Sequence, residues 1–172
     1  MTTPALIDDF SSPQRASNGH AWRFSCDRVM GGVSSGRAVH SLIEGRRALL
    51  LDGRVSLDNN GGFVQMSLNL AADGDSFDAL EFTGLRVMTY GDGARYALNL
   101  RTTDLTYPWQ SYRSTLTAAP EWETHDLPFS GFEANRTDCP LNPVRLRRVG
   151  LIAIGEERTV KAAIGDLRFY RA

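Results

Sequence analysis

The sequence has almost no net charge: 19 basic residues stand against 20 acidic ones, a formal balance of -1. No strong field exists to gather nucleic acid or an anionic membrane surface, and neither is expected as a partner. Lysine is nearly missing too, Lys161 being the single one among arginines. No apolar run approaches the roughly 18 residues that a membrane-crossing helix requires, so no membrane insertion is expected. The opening stretch, Met1 to Phe10, has no basic region followed by an apolar one, which reads as a cytoplasmic protein. Cysteine is scarce. Cys26 and Cys139 lie far apart and outside any Cys-x-x-Cys or Cys/His spacing, which excludes a zinc knuckle or a disulfide framework. His20, His40 and His125 form no closely spaced pair, so no metal site is assigned, and no cofactor.

What is present is ordinary globular material. With 172 residues and 42% hydrophobic content, the chain suffices for one core, and residues 1–172 are read as a single domain. Val64-Gln65-Met66-Ser67-Leu68-Asn69-Leu70 alternates apolar and polar side chains, the period of a half-buried strand. The same period recurs at 85–90, 96–101 and 109–116, and shorter strands are expected at 22–24, 38–40, 48–51, 55–57, 124–127, 150–154 and 162–170. Turn chemistry separates them at Asn59-Asn60-Gly61-Gly62, Asp73-Gly74-Asp75 and Gly91-Asp92-Gly93. No long amphipathic helix intervenes. The expected fold is therefore all-β, a jelly-roll sandwich of two antiparallel sheets.

Several motifs invite a chemical reading. Gly32-Val33-Ser34-Ser35-Gly36 matches the nucleophile elbow of a hydrolase, and Asp104 and His125 follow in triad order. That elbow needs a helix after its serine, whereas Gly36-Arg37-Ala38-Val39-His40 reads as a strand, so the chain is not expected to be an enzyme and no catalytic residue is assigned. Asp73, Asp75 and Asp78 do not complete a calcium loop and read as a solvated turn. Among the aromatics, Trp109 and Tyr112 are the candidates for exposure, because proline and polar residues flank them.

Trp22, Asp27-Arg28-Val29-Met30-Gly31-Gly32-Val33-Ser34-Ser35-Gly36 and Asn60-Gly61-Gly62-Phe63, in that order, resemble the signature of the complex I intermediate-associated protein 30 family. The resemblance continues through Gly91-Asp92-Gly93 with Tyr96, Tyr112, Trp122, Leu127-Pro128-Phe129, Phe132 and Arg136, and so spans nearly the whole chain. It departs at Thr137, where the family often has glycine, and at Val160 and Ala162, where bulkier residues are expected. It implies a galactose-binding-domain-like jelly roll and a non-enzymatic, chaperone-like role in assembling respiratory complex I. The partner it implies is a complex I subunit or assembly intermediate, held by a bacterial, cytoplasmic protein that this partner brings to the inner membrane. The alternative is an intracellular carbohydrate or small-ligand binder of the same fold.

The signature also has a reading from its residues alone. Adjacent glycines open backbone conformations closed to other residues, and Asp27 accepts hydrogen bonds from the freed amides, giving a rigid loop. Met30 is expected to plug the end of the sandwich as adaptable apolar filler. The candidate contacts with a partner, through loops at the sandwich edge, are Asp27, Arg28, Ser34, Ser35, Gly61, Gly62, Trp109, Tyr112 and Arg136.

Overall fold

The computed structural model describes residues 5–172, so the reading of Met1 to Phe10 lies partly outside the described residues. In chain order the first strands are β1 (Leu6–Asp8), β2 (Arg23–Cys26), β3 (Ser35–Ile43), β4 (Arg46–Val55), β5 (Phe63–Asn69) and β6 (Gly84–Gly91). The second half supplies β7 (Arg95–Thr102), β8 (Ser111–Thr117), β9 (Glu123–Pro128), β10 (Glu133–Asn135), β11 (Leu146–Ile154) and β12 (Arg158–Tyr170). Only single 3-10 turns interrupt them, and among the described residues no helix is long and apolar enough to cross a membrane.

All the pairings are antiparallel. One sheet runs β3-β4-β12-β6-β9, and β1 joins β12 beyond the point where β4 leaves it. The other runs β10-β8-β7-β11-β5-β2. Alternation places one residue in two between the sheets: Val64, Met66 and Leu68 from β5, Leu98 and Leu100 from β7, Val149 and Leu151 from β11, and Leu85 and Val87 from β6 join one buried cluster. Phe169 closes one part of it, stacked on Phe77 at 4.9 Å and on Phe82 at 5.1 Å.

The two-layer jelly roll agrees with the period-two reading, with local differences. The strand expected at 48–51 runs on through Val55 as one strand, β4, because Asp52-Gly53 is paired on both sides, by β3 and by β12, and Ser56 and Leu57 of the strand expected at 55–57 lie beyond its end. Trp109 precedes β8 instead of lying in it. Periodicity also misses β1 and β10, each three residues long and too short to show it. Val160 and Ala162 are fully buried in β12, so the smaller residues there fit a packed position. Leu98 and Leu151 face each other across β7 and β11 with no exposed surface. Truncating either to alanine is expected to cost about 2–5 kcal/mol by transfer and cavity terms, read as a lower urea midpoint at unchanged slope.

Candidate functional site

The residues of the Asp-Arg-Val-Met-Gly-Gly-Val-Ser run converge on one buried carboxylate. Asp27 follows β2, Ser34 precedes β3, Ser56 follows β4, and Gly62 precedes β5, so four strand ends from both sheets meet there. Asp27 has no exposed surface. Its Oδ1 accepts the Ser34 amide at 2.9 Å, and its Oδ2 accepts the Ser34 hydroxyl at 2.5 Å, the Gly62 amide at 2.5 Å and the Phe63 amide at 3.4 Å. The Ser34 Oγ in turn accepts the Ser56 amide at 2.9 Å.

Burial pushes the Asp27 carboxyl up, but the Ser34 hydroxyl and the amides of Gly62, Ser34 and Phe63 together outweigh it and hold the group below its ordinary 3.8. The glycines follow from this arrangement. A methyl at Gly32 would sit 2.5 Å from the Asp27 Cγ, and one at Gly61 would overlap the same carboxylate. Asp27 therefore excludes larger residues at both positions, one glycine of each pair, while the other, Gly31 or Gly62, takes a positive φ.

This closed arrangement leaves no place for hydrolase chemistry at Ser34. Its hydroxyl is buried against Asp27 and the Ser56 backbone, while the His125 ring lies on β9, at the opposite edge of the sheet that β3 borders, 3.0 Å from the Thr89 hydroxyl. A buried polar knot does let the loop around it show apolar side chains. Val29 is 81% exposed and Met30 61%, and Val33 and Leu57 are exposed on the same pair of loops. Met30 thus points outward instead of plugging the sandwich, because the short 3-10 turn Asp27–Met30 and the left-handed Gly31 carry it away from the core.

The candidate contacts do not form one site. Asp27, Arg28, Ser34, Ser35, Gly61 and Gly62 gather at the β2 edge of the second sheet, whereas Trp109, Tyr112 and Arg136 lie at its β8–β10 edge, with β5, β11 and β7 between. Four of them have no surface to offer. Asp27, Ser34 and Gly62 are buried in the knot, and Tyr112 is 1% exposed, its hydroxyl donating to the Cys139 carbonyl at 2.8 Å to hold the 137–143 loop. Burial together with the neighbouring Cys139 pushes that phenol up to about 12. These are corrections to the contact set: polar side chains buried this deeply are there to satisfy backbone groups. Arg28, Ser35, Trp109 and Arg136 are exposed, and the Arg28 Nε donates to the Ser34 carbonyl at 2.8 Å.

Two features escaped sequence reading. Asp8, buried like Asp27, accepts the Trp22 indole N–H at 2.8 Å and the amides of Phe10 and Ser17, so it organises the segment before β2. Tyr107 stacks on Trp109 with ring centres 4.7 Å apart and 5° between planes, both rings half exposed. The Arg101 guanidinium fixes that loop by donating to the carbonyls of Tyr107, Pro108 and Gln110 at 3.0, 2.7 and 2.8 Å.

Comparison with known proteins adds family and fold. The family model described as Complex I intermediate-associated protein 30 (CIA30) matches residues 9–164. No protein of curated function matches the sequence. Among solved structures, the chain is similar to a family 11 carbohydrate-binding module from Clostridium thermocellum bound to a beta-1,3-1,4-mixed-linked tetrasaccharide, with TM-score 0.74, 13% identity, and 98% of this chain and 95% of that one covered. The same module from the cellulosomal cellulase Lic26A-Cel5E of that organism gives 0.75 at 11% identity, over 100% and 97%. A family 30 carbohydrate-binding module from its cellulase Cel9D-Cel44B gives 0.57 at 11%, over 80% and 92%. At such identities the likeness is one of fold, a galactose-binding-like jelly roll.

Replacing Asp27 with alanine leaves the Ser34 and Gly62 amides without partners, an expected loss of about 3–5 kcal/mol in urea unfolding. The pH dependence follows from the lowered carboxyl. The unfolded chain binds the proton more readily, so the stabilisation is complete above the unfolded value near 3.8 and drains away as pH falls through it toward the folded one. An Asp27→Asn variant is expected to show a shallower fall in stability below about pH 4 than the parent chain, measured by thermal melts across that range.

Proposed function

The chain belongs to the Complex I intermediate-associated protein 30 family, and from that premise we propose that it is a binding and assembly domain that grips a protein partner and catalyses nothing itself. The observation that carries this reading is the loop at the β2 edge. Its polar residues are spent inward on Asp27, and its apolar ones, Val29, Met30 and Val33, face water. Exposing such side chains on a monomer is unfavourable unless another surface covers them, and a pre-ordered loop loses little entropy when that happens. Methionine suits such a surface because its flexible thioether fits irregular partners. The partner class that the family supports is a subunit or assembly intermediate of respiratory complex I, which would bring a cytoplasmic chain to the inner membrane. Arg28 and Ser35 flank the apolar loop and supply polar contacts at its rim.

A second reading rests on a separate observation, the half-exposed Tyr107–Trp109 stack at the other corner of the same sheet. Flat, exposed aromatic pairs stack on sugar rings, and the fold is shared with carbohydrate-binding modules. On this reading Trp109 and Arg136 line an intracellular carbohydrate site.

Two experiments separate these. Val29→Asp and Met30→Asp change surface residues, so stability should move by no more than about 0.5 kcal/mol, while recovery of complex I subunits with the tagged chain from gently solubilised membranes should be lost. Recovery that survives both substitutions removes the loop from the account. Calorimetric titration with a mixed-linked tetrasaccharide tests the second reading: heat that disappears in Trp109→Ala supports it, and no heat with the unaltered chain retires it.

A further inference from the structure

The outer face of the second sheet is recessed and carries arginines that make no ion pair among the described residues. Tyr96, Leu98 and Leu100 of β7 point into the core, so Ala97, Asn99 and Arg101 point away from it. By the same alternation Arg148, Gly150 and Ile152 of β11, Gln65, Ser67 and Asn69 of β5, and Arg113 of β8 share that outer face. Yet Ala97, Asn99, Ile152 and Ser67 are 9% exposed or less while lying outside the core cluster, so the centre of this face is a trough. One cross-strand row through it reads Arg113, Asn99, Gly150, Ser67 and Arg23. A cleft of about 310 Å³ extends it at the β8–β10 edge, lined by Arg113, Thr115, Glu133 and Asn135 among others.

Three buried polar atoms here lack partners, and they are neighbours. The Asn99 Oδ1, the Ser111 Oγ and the Arg113 Nε have none among the described residues, although Asn99 is only 8% exposed and Ser111 5%. Asn99 and Arg113 are direct cross-strand partners. The Asn99 amide nitrogen is already engaged with the Gln65 Oε1 at 3.1 Å, which leaves its oxygen buried on the outer side of the sheet as an acceptor without a donor. Such atoms cost free energy unless something supplies their hydrogen bonds.

The arginines point the same way. The six ion pairs found among the described residues involve none of Arg23, Arg101, Arg113, Arg136, Arg147 and Arg148. Burial and then neighbouring arginines lower the affinity of Arg101, Arg113 and Arg148 for their protons, a sign of crowded like charge. Glu133, opposite Arg113, and Asp73, near Arg148, are the adjacent carboxylates, and neither makes an ion pair there.

We propose that this trough binds an acidic polypeptide segment laid across β8, β7, β11, β5 and β2, its carboxylates on Arg113 and Arg23 and a backbone N–H on the Asn99 Oδ1. The inference rests on the reading that the partner is a protein, and it assigns a second contact on that partner. A peptide offers what the orphan atoms need, N–H donors and C=O acceptors at short spacing, alongside carboxylates for the arginines. A saccharide fits less well, because the strand positions forming the trough floor, Ala97, Asn99, Gly150, Ile152, Gln65 and Ser67, hold no aromatic ring for a sugar to stack on. A recessed face also keeps a flat bilayer from its floor.

Five strands span roughly 19 Å, which an extended peptide of about six to eight residues covers. A fluorescein-labelled peptide of that length, alternating Glu with Ala, is titrated with the full chain and followed by anisotropy. Binding is expected at low salt, lost at about 1 M salt where screening acts within ~3 Å, and absent for the Gln-for-Glu peptide. Arg113→Gln should weaken it about tenfold, as loss of one charge-assisted contact. Arg23→Glu carries the test if that variant does not fold, because the Arg23 side chain is exposed and makes no hydrogen bond or ion pair among the described residues. Lys161→Gln, which removes a charge from the other sheet, should change nothing. No binding, equal weakening by Lys161→Gln, or tighter binding of oligogalacturonate or a short single-stranded DNA would overturn the assignment. A chain that recovers complex I subunits but ignores the peptide sinks the trough alone. Peptide binding without any recovered subunit supports the trough and removes the apolar-loop reading.

Discussion

A single buried carboxylate holds one end of this sandwich together. Asp27 lies at the crossing of two loops, each passing from one sheet to the other or back, and it accepts hydrogen bonds from both. Without it, amides released by the glycine pairs would be sealed from water with no acceptor. A charged group is stable there only because its donors are already in place, which is why the carboxyl stays ionised despite burial. Ser34 completes the arrangement by passing one bond on to the Ser56 backbone, so the two loops cannot move separately.

The same economy recurs around the molecule. Asp8 anchors the approach to β2 through the Trp22 indole. Tyr96 donates to Asp92 at 3.0 Å and receives the Arg158 guanidinium at 3.2 Å, which ties the Gly91–Gly93 turn to β12. Burial pushes that phenol up to about 12, with the Asp92 charge adding to it against the pull of Arg158. Tyr112 does similar work for the long loop after β10. In each case a motif residue faces inward and fixes a loop, and the loop decides what the surface displays. What is left facing water is apolar or aromatic: Val29 and Met30 around Asp27, and the Tyr107–Trp109 pair held by Arg101.

Much of this was legible along the chain. Alternation marks β5, β6 and β7 because each has one face in the core and one turned outward, and the glycine-bearing turns separate them. The family signature is local in sequence and therefore readable too. Its meaning is less so. Asp27, Ser34 and Gly62 belong to one hydrogen-bonded unit, but they are separated by up to 35 positions, and polar residues in glycine-rich loops look alike whether buried or exposed. Polar neighbours mark Tyr112 as a surface candidate, yet strand alternation turns it inward at 1% exposure.

From the sequence alone follow the layered antiparallel fold, the family, and the absence of a charge excess that would draw polyanions from a distance, since these depend on local period, ordered motifs and composition. Only the tertiary structure decided which loop glycines crowd a carboxylate, which apolar side chains are left facing water, and which arginines gather without ion pairs among the described residues on one recessed face. The reason is geometric. Arg113, Arg148 and Arg23 sit on strands far apart in the chain, and hydrogen-bonded register, which no local pattern encodes, brings them to the same side of one sheet.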